Sequence, residues 1–454
     1  MLVTVWHPES VVPGVHEPIE CGCGLCPRPD QRRQGRARGN AEGRGGAMSK
    51  NRIVMPDWLL TRESARVMAA LGKKDARFVG GAVRDAIVGK PVKDIDIATR
   101  LTPEEVIHLL QKKQIKVIPT GIKHGTVTAV LDGQSFEITT LRKDVNCDGR
   151  HAEVAFTSDW EEDAARRDFT INAMYLDVKG NLYDYFGGRE DLAEGHLRFI
   201  GDAASRIQED YLRILRLFRF HAYYGKVAID KETLKVCQHF APKIATLSGE
   251  RIQAEMFKLL KADNPAVAMQ AMVKAKVFAA ATGVPKPNIN AFLELCDKNV
   301  RHVQYIHLIR LLALLPKLQA VKIVGDITER WKLSNNYRDA LKNLAKLSLL
   351  IKARLTLKDQ RKLCRLYLND AFAAAVHVAM ARDPEHASYF KKMIQMADKW
   401  RAPAFPLTGK DVMAVGVPSG RQVGTLLKMA EEAWEESGYT LQAQQLLKLV
   451  QKHA

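Results

Sequence analysis

The sequence contains no run of about 18 consecutive apolar residues, so no membrane-crossing helix is expected. Its seven cysteines form no disulfide framework, because Cys147, Cys237, Cys296 and Cys364 are widely scattered. This distribution favours buried thiols in a reducing compartment, and we expect a cytoplasmic protein. The other three cysteines crowd into residues 21–26 without a second ligand pair at a matching spacing, which argues against a zinc site.

Acidic residues are outnumbered by basic ones. The 454 residues include 69 Lys and Arg against 51 Asp and Glu, which gives a formal net charge of +18. An excess of this size indicates either a solvated basic surface or a polyanionic partner such as a nucleic acid. Since 46% of the residues are hydrophobic, the chain can form a sizeable core, enough for about three domains.

Residues 1–47 differ in composition from the rest of the chain. They hold six Arg, five acidic residues and no Lys, and they show no apolar periodicity. No signal-peptide pattern is visible, and the acidic residues argue against a mitochondrial presequence. We expect a disordered or mis-assigned N-terminal extension, with the functional chain beginning near Met48.

The next stretch, up to about residue 190, alternates between helix and strand signals. Residues 102–105 read Thr-Pro-Glu-Glu, a capping box with proline at the first helical position, which predicts a helix start. Two strands, 125–131 and 135–141, are joined across Asp132-Gly133, a strong hairpin signal. After about residue 190 the strand signal fades and amphipathic helices dominate. The pattern predicts an α+β head followed by an all-helical remainder.

The strand around residues 93–98 carries an acidic pattern. Residues two apart on a strand point to the same face, so Asp94 and Asp96 share one face while the intervening isoleucines take the other. The second hairpin strand repeats this logic, because Glu137 is flanked by two apolar residues. The sequence therefore predicts a sheet with one apolar face against helices and one face that bears three carboxylates.

Clustered carboxylates repel one another unless a cation lies among them. Two divalent ions would relieve that repulsion and would suit phosphoryl or nucleotidyl transfer, and Mg²⁺ prefers such all-oxygen ligands. Upstream of the acidic strand, Gly80 and Gly81 open a short predicted helix. Glycines there would let backbone amides approach a triphosphate, with Arg84 as a further clamp.

The Asp-x-Asp pattern alone is weak, but here it follows an apolar residue, two glycines and a spacer that contains a helix. This combination resembles the active-site head of the DNA-polymerase-beta-like nucleotidyltransferases, specifically the class II tRNA nucleotidyltransferase and bacterial poly(A) polymerase family. The resemblance implies a polymerase-beta-like head of mixed sheet and helices, followed by a helical neck, body and tail. It implies that Asp94 and Asp96 hold Mg²⁺ and that Glu137 is the third catalytic carboxylate.

The segment 163–172 resembles the second motif of this family. The resemblance implies contacts to the ribose and triphosphate of the incoming nucleotide, and the matching residues are Asp163, Arg166, Arg167, Asp168 and Asn172. The residues themselves agree in outline, since two adjacent arginines suit phosphates. Asp168 and Asn172 are four apart and can meet on one helical face.

The segment 209–220 resembles the family's nucleotide-selecting helix. The resemblance assigns base selection to Asp210 and Arg213 and places Arg216 and Arg219 further along the nucleotide site. An intrahelical salt bridge between Glu209 and Arg213 is the alternative interpretation. Two further segments resemble family motifs of structural type: residues 184–192, a glycine motif between head and neck, and residues 248–252, a brace for the selecting helix.

Within the family, residues 119–128 resemble the CCA-adding version, and the arginine-rich signature of poly(A) polymerases is missing. The segment 142–160 has full length, which favours addition of A as well as C. No His-Asp dipeptide occurs, so the phosphohydrolase domain of some relatives is not expected. We expect template-independent addition of CCA to tRNA from CTP and ATP, with release of pyrophosphate. A poly(A) polymerase and a non-catalytic RNA-binding derivative of the fold are the alternatives.

The predicted organisation is a head at 48–190, a helical neck at 191–270, and a body and tail at 271–454 that bind tRNA. A basic band in the helical half is either a solvated surface or a set of phosphate contacts, and it comprises Lys342, Lys346, Lys352, Arg354, Lys358, Arg361, Lys362 and Arg365. His124 and His151 lack a metal-binding spacing. No feature of the sequence predicts a protein partner.

Overall fold

The computed structural model describes residues 51–91, 94–147, 152–297 and 305–454, without the side chains of 144–147 and 152–154. The predicted N-terminal extension and His151 lie outside the described residues. Among the helices of the described ranges, none combines the length and the hydrophobicity needed to span a bilayer.

The strands all lie in the head. They are β1 (Ala76–Val79), β2 (Ile95–Thr99), β3 (Lys116–Gly121), β4 (Thr126–Leu131), β5 (Gln134–Thr140), β6 (Arg142–Cys147), β7 (Ala152–Phe156), β8 (Met174–Leu176) and β9 (Leu182–Asp184). Seven of these described strands form one sheet in the order β3-β4-β5-β2-β1-β8-β9, and β6 and β7 form a separate hairpin. Within the larger sheet β2 and β5 are parallel and the other neighbours are antiparallel.

The head also contains short helices: α1 (Arg62–Leu71), α2 (Gly81–Ile87), α3 (Pro103–Lys112), α4 (Trp160–Ala165) and α5 (Gly188–Glu194). The predicted capping box is confirmed, because the Thr102 side chain and the Glu105 side chain each bond the other's backbone N–H. The predicted hairpin turn is confirmed as well, with Asp132 at φ 48° and Gly133 at φ 81°, the two left-handed residues of a tight hairpin.

The rest of the described chain is helical, as predicted. Its helices are α6 (Ala203–Glu209), α7 (Leu212–Tyr224), α8 (Lys231–Phe240), α9 (Gly249–Lys261), α10 (Ala266–Lys274), α11 (Val277–Thr282), α12 (Ile289–Asp297), α13 (Ile306–Leu314), α14 (Ala320–Arg330), α15 (Asn335–Leu350), α16 (Leu357–Tyr367), α17 (Asn369–Arg382), α18 (Ala387–Lys399), α19 (Gly409–Ala414), α20 (Arg421–Glu436) and α21 (Ala443–His453). One continuous hydrophobic core joins the head to these helices as far as α17, and a separate small core forms between residues 407 and 450.

The sheet has the two unlike faces that the alternating pattern predicts. One face is apolar: Phe78, Ile97 and Phe136 are fully buried among residues of α1 and α3. On the other face α4 packs through Trp160 and Ala164 against Ala98 and Tyr175. Because α4 covers only part of this second face, the polar side chains of β2 and β5 beside it stay accessible.

The basic band of the body is not uniform. Arg365 on α16 bonds Glu431 and, at 2.7 Å, Glu435 of α20, and Lys362 lies 3.2 Å from Glu435. The Arg365 guanidinium also lies 5.2 Å from the ring centroid of Trp434. These two cations therefore fasten the small C-terminal core to the body. Both already have acidic partners within the protein, so the phosphate contacts that we considered for the band stay a prediction.

The buried His307 on α13 makes stability depend on pH. Its ring packs edge-on against Phe257 at 4.8 Å, and its Nε2 atom is buried without a partner. Burial, with a smaller contribution from Lys261, lowers the pKa of His307 to about 4. Between pH 6.5 and pH 4 the histidine is therefore protonated in the unfolded chain but neutral in the folded one. The free energy of unfolding falls as pH falls through this window, by about 2 kcal/mol at pH 5.

His307→Phe is expected to shrink the drop in melting temperature between pH 7.5 and pH 5, since it keeps an aromatic ring and removes the titrating group. His221 and His377 also have pKa values lowered by burial and act in the same direction, so part of the pH dependence should survive. An unchanged drop in the variant would contradict this account of His307.

Candidate active site

The two central acidic positions come together across parallel strands. The register of β2 and β5 places Asp96 directly beside Glu137, on the face opposite Phe136. Asp96 is half-buried, Glu137 is exposed, and Asp94 is exposed immediately before β2. Burial, and then repulsion from Glu137 and Asp94, raise the pKa of Asp96 to about 6 against the opposing charges of Arg167 and Arg84. The predicted concentration of negative charge on one sheet face is confirmed.

The glycine turn between β1 and α2 adjoins this charge. Gly80 has φ +66°, a conformation that side-chain-bearing residues rarely adopt. A Cβ atom built on Gly80 would lie 3.6 Å from Nη1 of Arg167 and 3.8 Å from Oδ2 of Asp96. The backbone at Gly80 thus approaches an anionic and a cationic side chain at once, in space that a side chain would fill.

Arg166 and Arg167 directly follow α4, and the carboxylate of Asp163 orients both side chains. That carboxylate is 1% exposed and accepts hydrogen bonds from Arg166 Nε at 2.8 Å, Arg167 Nη2 at 3.1 Å and the Tyr175 hydroxyl at 2.7 Å. Burial alone would raise its pKa, but the two guanidinium groups and the tyrosine bond lower the pKa of Asp163 to about 2. Asp163 is thus positioned to hold the arginines.

Asp168 and Asn172 meet, but not on a helix as predicted. The Asn172 amide donates to Asp168 Oδ1 at 3.0 Å. The expectation that the two residues share one helical face is wrong, because α4 ends at Ala165 and residues 170–172 form a single 3₁₀ turn. Phe169 between them bridges to Phe199, with ring centroids 4.6 Å apart, and this packing pulls the chain out of helical geometry.

The glycine motif 184–192 supports the same turn. A Cβ atom on Gly188 would lie 2.2 Å from the carbonyl oxygen of Thr170, so only glycine allows this approach. Asp191 accepts a hydrogen bond from the Thr170 hydroxyl. The motif is therefore structural, in agreement with the sequence-based interpretation.

Arg84 points into the protein beneath the glycine turn. Its residue is 8% exposed, and its guanidinium donates to Asp85 at 3.0 and 3.1 Å and to Asn172 Oδ1 at 2.6 Å. These interactions engage Nε and both terminal nitrogens. Its role as a phosphate clamp stays a prediction, while its contacts place it as a link between α2 and the turn at Asn172.

The two residues assigned to base selection lie at the start of α7, each with a protein partner. Asp210 precedes the helix and pairs with Arg251 at 2.7 Å. Arg213 bonds Glu209 and donates to the Arg206 carbonyl at 2.8 Å. The predicted brace at residues 248–252 is confirmed by the Asp210–Arg251 pair. The Glu209–Arg213 salt bridge that we considered as an alternative is present, but it is not intrahelical, because α6 ends at Glu209 and α7 begins at Leu212.

The next two arginines of α7 form ion pairs with other parts of the chain. Arg216 lies 2.6 Å from Asp168 of the head, and Arg219 lies 2.9 Å from Glu255 of α9. Both acids are almost fully buried. Salt bridges on two sides therefore hold α7 and orient both arginines.

Several residues that support the site were not predicted from the sequence. Arg206 donates at 2.7 Å to the carbonyls of Ala165 and Arg167 and so holds the turn that carries the arginine pair. Tyr224 donates to Asp85 at 2.6 Å. Asp85 could have been predicted from the sequence, because it directly follows the candidate residue Arg84. Arg206 pairs locally with Glu209 at 2.8 Å, and its spacing of three from Glu209 was the only signal in the sequence. Its contacts to the two carbonyls, about 40 residues away, gave none.

The acidic face can accept metal ions without forming a closed protein cage. Within the described ranges, no group of three or more His, Cys, Asp and Glu side chains is gathered closely enough to enclose a metal ion. The donor set fits a hard divalent cation nevertheless, because all three acidic side chains offer oxygen ligands. Burial, and then repulsion from Glu137 and Asp94, raise the pKa of Asp96, and a cation would relieve that repulsion.

These features define a class of protein. A mixed sheet with paired carboxylates on one face, a glycine turn beside them and an arginine pair over the turn form the head of a polymerase-beta-like nucleotidyltransferase. Family models agree: residues 76–198 match the poly A polymerase head domain, and residues 226–283 match the probable RNA- and SrmB-binding site of polymerase A.

Comparison with individual proteins narrows the class. The chain is 39% identical over 395 residues to the human mitochondrial CCA tRNA nucleotidyltransferase 1, which covers 83% of this chain and 87% of that protein. It is 38% identical to the zebrafish (Danio rerio) protein of the same name, over 82% of this chain and 86% of that one. A crystal structure of the Bacillus stearothermophilus CCA-adding enzyme in complex with CTP matches with a TM-score of 0.68 and 26% identity, over 88% of this chain and 98% of that chain. The chain belongs to the family of CCA-adding tRNA nucleotidyltransferases.

Proposed function

We propose that this protein adds C, C and A in turn to the 3′ end of tRNA, using CTP and ATP and releasing pyrophosphate. The observation that carries the proposal is the position of Asp96 beside Glu137, next to Gly80 and Arg167, in a chain that belongs to the CCA-adding family. The solved relative bound to CTP supports a nucleoside triphosphate as the substrate of this site. A cytoplasmic location stays a prediction, since the two vertebrate relatives are named as mitochondrial.

The layout suggests which substrate lies on which side of the carboxylates. Gly80 and the Arg166–Arg167 pair lie on the β1 side of β2, so the triphosphate is placed there, where backbone amides and guanidinium groups can bind it. In an in-line displacement the attacking and leaving oxygens lie on opposite sides of the phosphorus. The tRNA 3′-hydroxyl therefore approaches from the β5 side, where Glu137 is exposed beside its strand partner Thr128.

Divalent metal ions, with Mg²⁺ as the expected ion, would be held by Asp94 and Asp96, and Glu137 would be the third carboxylate. Bound there, the ions would neutralise the charge that builds up on the transferring phosphoryl group. The protein's own part is to bind and orient. Asp163 fixes the two arginines over the glycine turn, and Glu137 is placed to accept a hydrogen bond from the attacking hydroxyl.

The assay that tests the function supplies purified protein with Mg²⁺, labelled CTP and ATP, and a tRNA that ends at the discriminator base. The tRNA is expected to grow by C, C and A and then to stop. Omitting CTP should leave it unextended, because A is added only after two C residues.

A poly(A) polymerase is the nearest alternative, because the matching family models carry that name. It predicts a different product in the same assay, namely a long run of A that needs no CTP. Such a product would replace CCA addition as the proposed function. A protein that binds tRNA but extends it with neither nucleotide would indicate a non-catalytic derivative of the fold.

A further inference from the structure

A chain of hydrogen-bonded side chains, buried in its middle and half-buried at its two ends, begins at Tyr224, the last residue of α7. The Tyr224 hydroxyl donates to Asp85 Oδ1 at 2.6 Å. The same carboxylate accepts from Arg84 Nε at 3.0 Å and from Nη2 at 3.1 Å. Arg84 and Asp85 are each 8% exposed, so these bonds lie away from solvent, where an unpaired group is costly.

The chain continues through the head and returns to the same helix. Arg84 Nη1 donates to Asn172 Oδ1 at 2.6 Å, and the Asn172 amide donates to Asp168 Oδ1 at 3.0 Å. The other oxygen of Asp168 pairs with Arg216 at 2.6 Å. Arg216 lies on α7, eight residues before Tyr224. The helix is thus connected to the head at two places by one uninterrupted set of polar contacts.

Two attachments restrict the helix more than one does. At about 1.5 Å per residue, the attachments at Arg216 and Tyr224 lie roughly 12 Å apart along the axis of α7. Arg213 and Arg216 bond the head within one turn of each other, so these contacts alone let the helix swivel about that turn. A further attachment at Tyr224 fixes its direction and its rotation. Arg213 lies within one turn of Arg216, so any swivel of α7 moves Arg213 relative to the catalytic carboxylates.

We propose that Tyr224 is a positioning residue for nucleotide selection. Its hydroxyl, acting through Asp85 and Arg84, fixes the selecting helix α7 relative to the glycine turn between β1 and α2. This inference rests on the proposed function of α7 in choosing the base. It extends that function to a residue that contacts none of the groups assigned to nucleotide binding except Arg84.

The tyrosine hydroxyl can be separated from the ring that carries it. The Tyr224 ring packs near Phe220, with centroids 6.2 Å apart, and lies 4.4 Å from the Arg84 guanidinium carbon. A phenylalanine would keep both contacts and lose only the bond to Asp85. Burial, together with the contact to Asp85, raises the pKa of Tyr224, so the hydroxyl remains a neutral donor at physiological pH.

The chain offers a matched control in the preceding residue. The Tyr223 hydroxyl also makes one hydrogen bond, to the carbonyl of Lys258 at 3.0 Å, away from the site. Tyr224→Phe is expected to lower kcat/KM for CTP and ATP about five- to tenfold and to raise the relative use of UTP and GTP. Tyr223→Phe should stay within about twofold of the wild type, and the two variants should have similar melting temperatures.

A second variant separates positioning from general loss of structure. If the hydroxyl acts through Asp85, the double variant Tyr224→Phe with Asp85→Asn should be no less selective than the worse of the two single variants. Wild-type selectivity in Tyr224→Phe would overturn the inference, and so would equal losses in Tyr224→Phe and Tyr223→Phe. If Asp85→Asn does not fold, the comparison of the two tyrosine variants still decides.

Failure of this inference is distinguishable from failure of the proposed function. Wild-type protein that adds CCA, together with an unaltered Tyr224→Phe, rejects only the positioning role. Wild-type protein that fails to extend tRNA rejects the proposed function, and the inference is then tested by tryptophan fluorescence with CTP and UTP as ligands. Tyr224→Phe should bind the two with more similar affinity than the wild type, and an unchanged ratio would overturn the role.

Discussion

Asp96→Asn is expected to reduce nucleotide addition by at least about a hundredfold, the size of effect seen when one group that stabilises transition-state charge is removed. Asp96 is central among the carboxylates, since burial, and then repulsion from both Glu137 and Asp94, raise its pKa to about 6. An amide at this position cannot supply the negative charge that a divalent ion requires. Asp94→Ala should cause a loss of similar size, measured as single-turnover addition of C to tRNA.

The same change is not expected to destabilise the protein. The raised pKa of Asp96 means that its charged form opposes folding above pH 6, so a neutral amide should leave the melting temperature unchanged or higher at pH 7.5. tRNA binding should persist, because no phosphate contact is removed. Glu104→Ala on the exposed start of α3 serves as the control and should keep wild-type activity. Near-normal turnover in Asp96→Asn would mean that the metal site lies elsewhere.

Arg213→Ala and Asp210→Ala are expected to weaken the rejection of UTP and GTP about tenfold or more, along with lower use of CTP and ATP. Cytosine and adenine each present an amino donor beside a ring-nitrogen acceptor, whereas uracil and guanine present a carbonyl beside a ring N–H. An ionised Asp only accepts and an Arg only donates, so one such pair satisfies C and A and opposes U and G. An unpaired buried group costs about 1–3 kcal/mol, which is enough for this selection.

The structure sharpens the test, because Asp210 pairs with Arg251 and Arg213 pairs with Glu209. For either residue to meet a base, it must share or exchange its present partner. Glu209→Gln weakens the salt bridge to Arg213 while leaving Arg213 in place. It should therefore disturb selectivity less than Arg213→Ala does. If Glu209→Gln and Arg213→Ala both keep wild-type discrimination against UTP and GTP, the Glu209–Arg213 pair only supports the structure.

Interactions between residues close in sequence could be read from the sequence. The alternation around Asp96 and Glu137, the Thr102 capping box and the Asp132-Gly133 turn were all predicted, because strand period, helix capping and turn geometry depend on neighbours within a few residues. The short strands β3, β8 and β9 and the β6–β7 hairpin were not predicted. β3 is mostly exposed and β8 is wholly buried, so neither shows the alternation that marks a half-buried strand.

The acidic face of the sheet, the helix cap and the hairpin turn were therefore determined by the sequence itself, and the family by the motifs that it carries. Only the tertiary structure decided the partners of the side chains whose contacts lie far away in the sequence. Arg84 bonds Asn172, Arg216 bonds Asp168, and Tyr224 bonds Asp85, across separations of 88, 48 and 139 residues. A guanidinium group binds a phosphate as readily as a carboxylate. Which of the two it meets depends on the acids that folding brings beside it, and local sequence does not encode that choice.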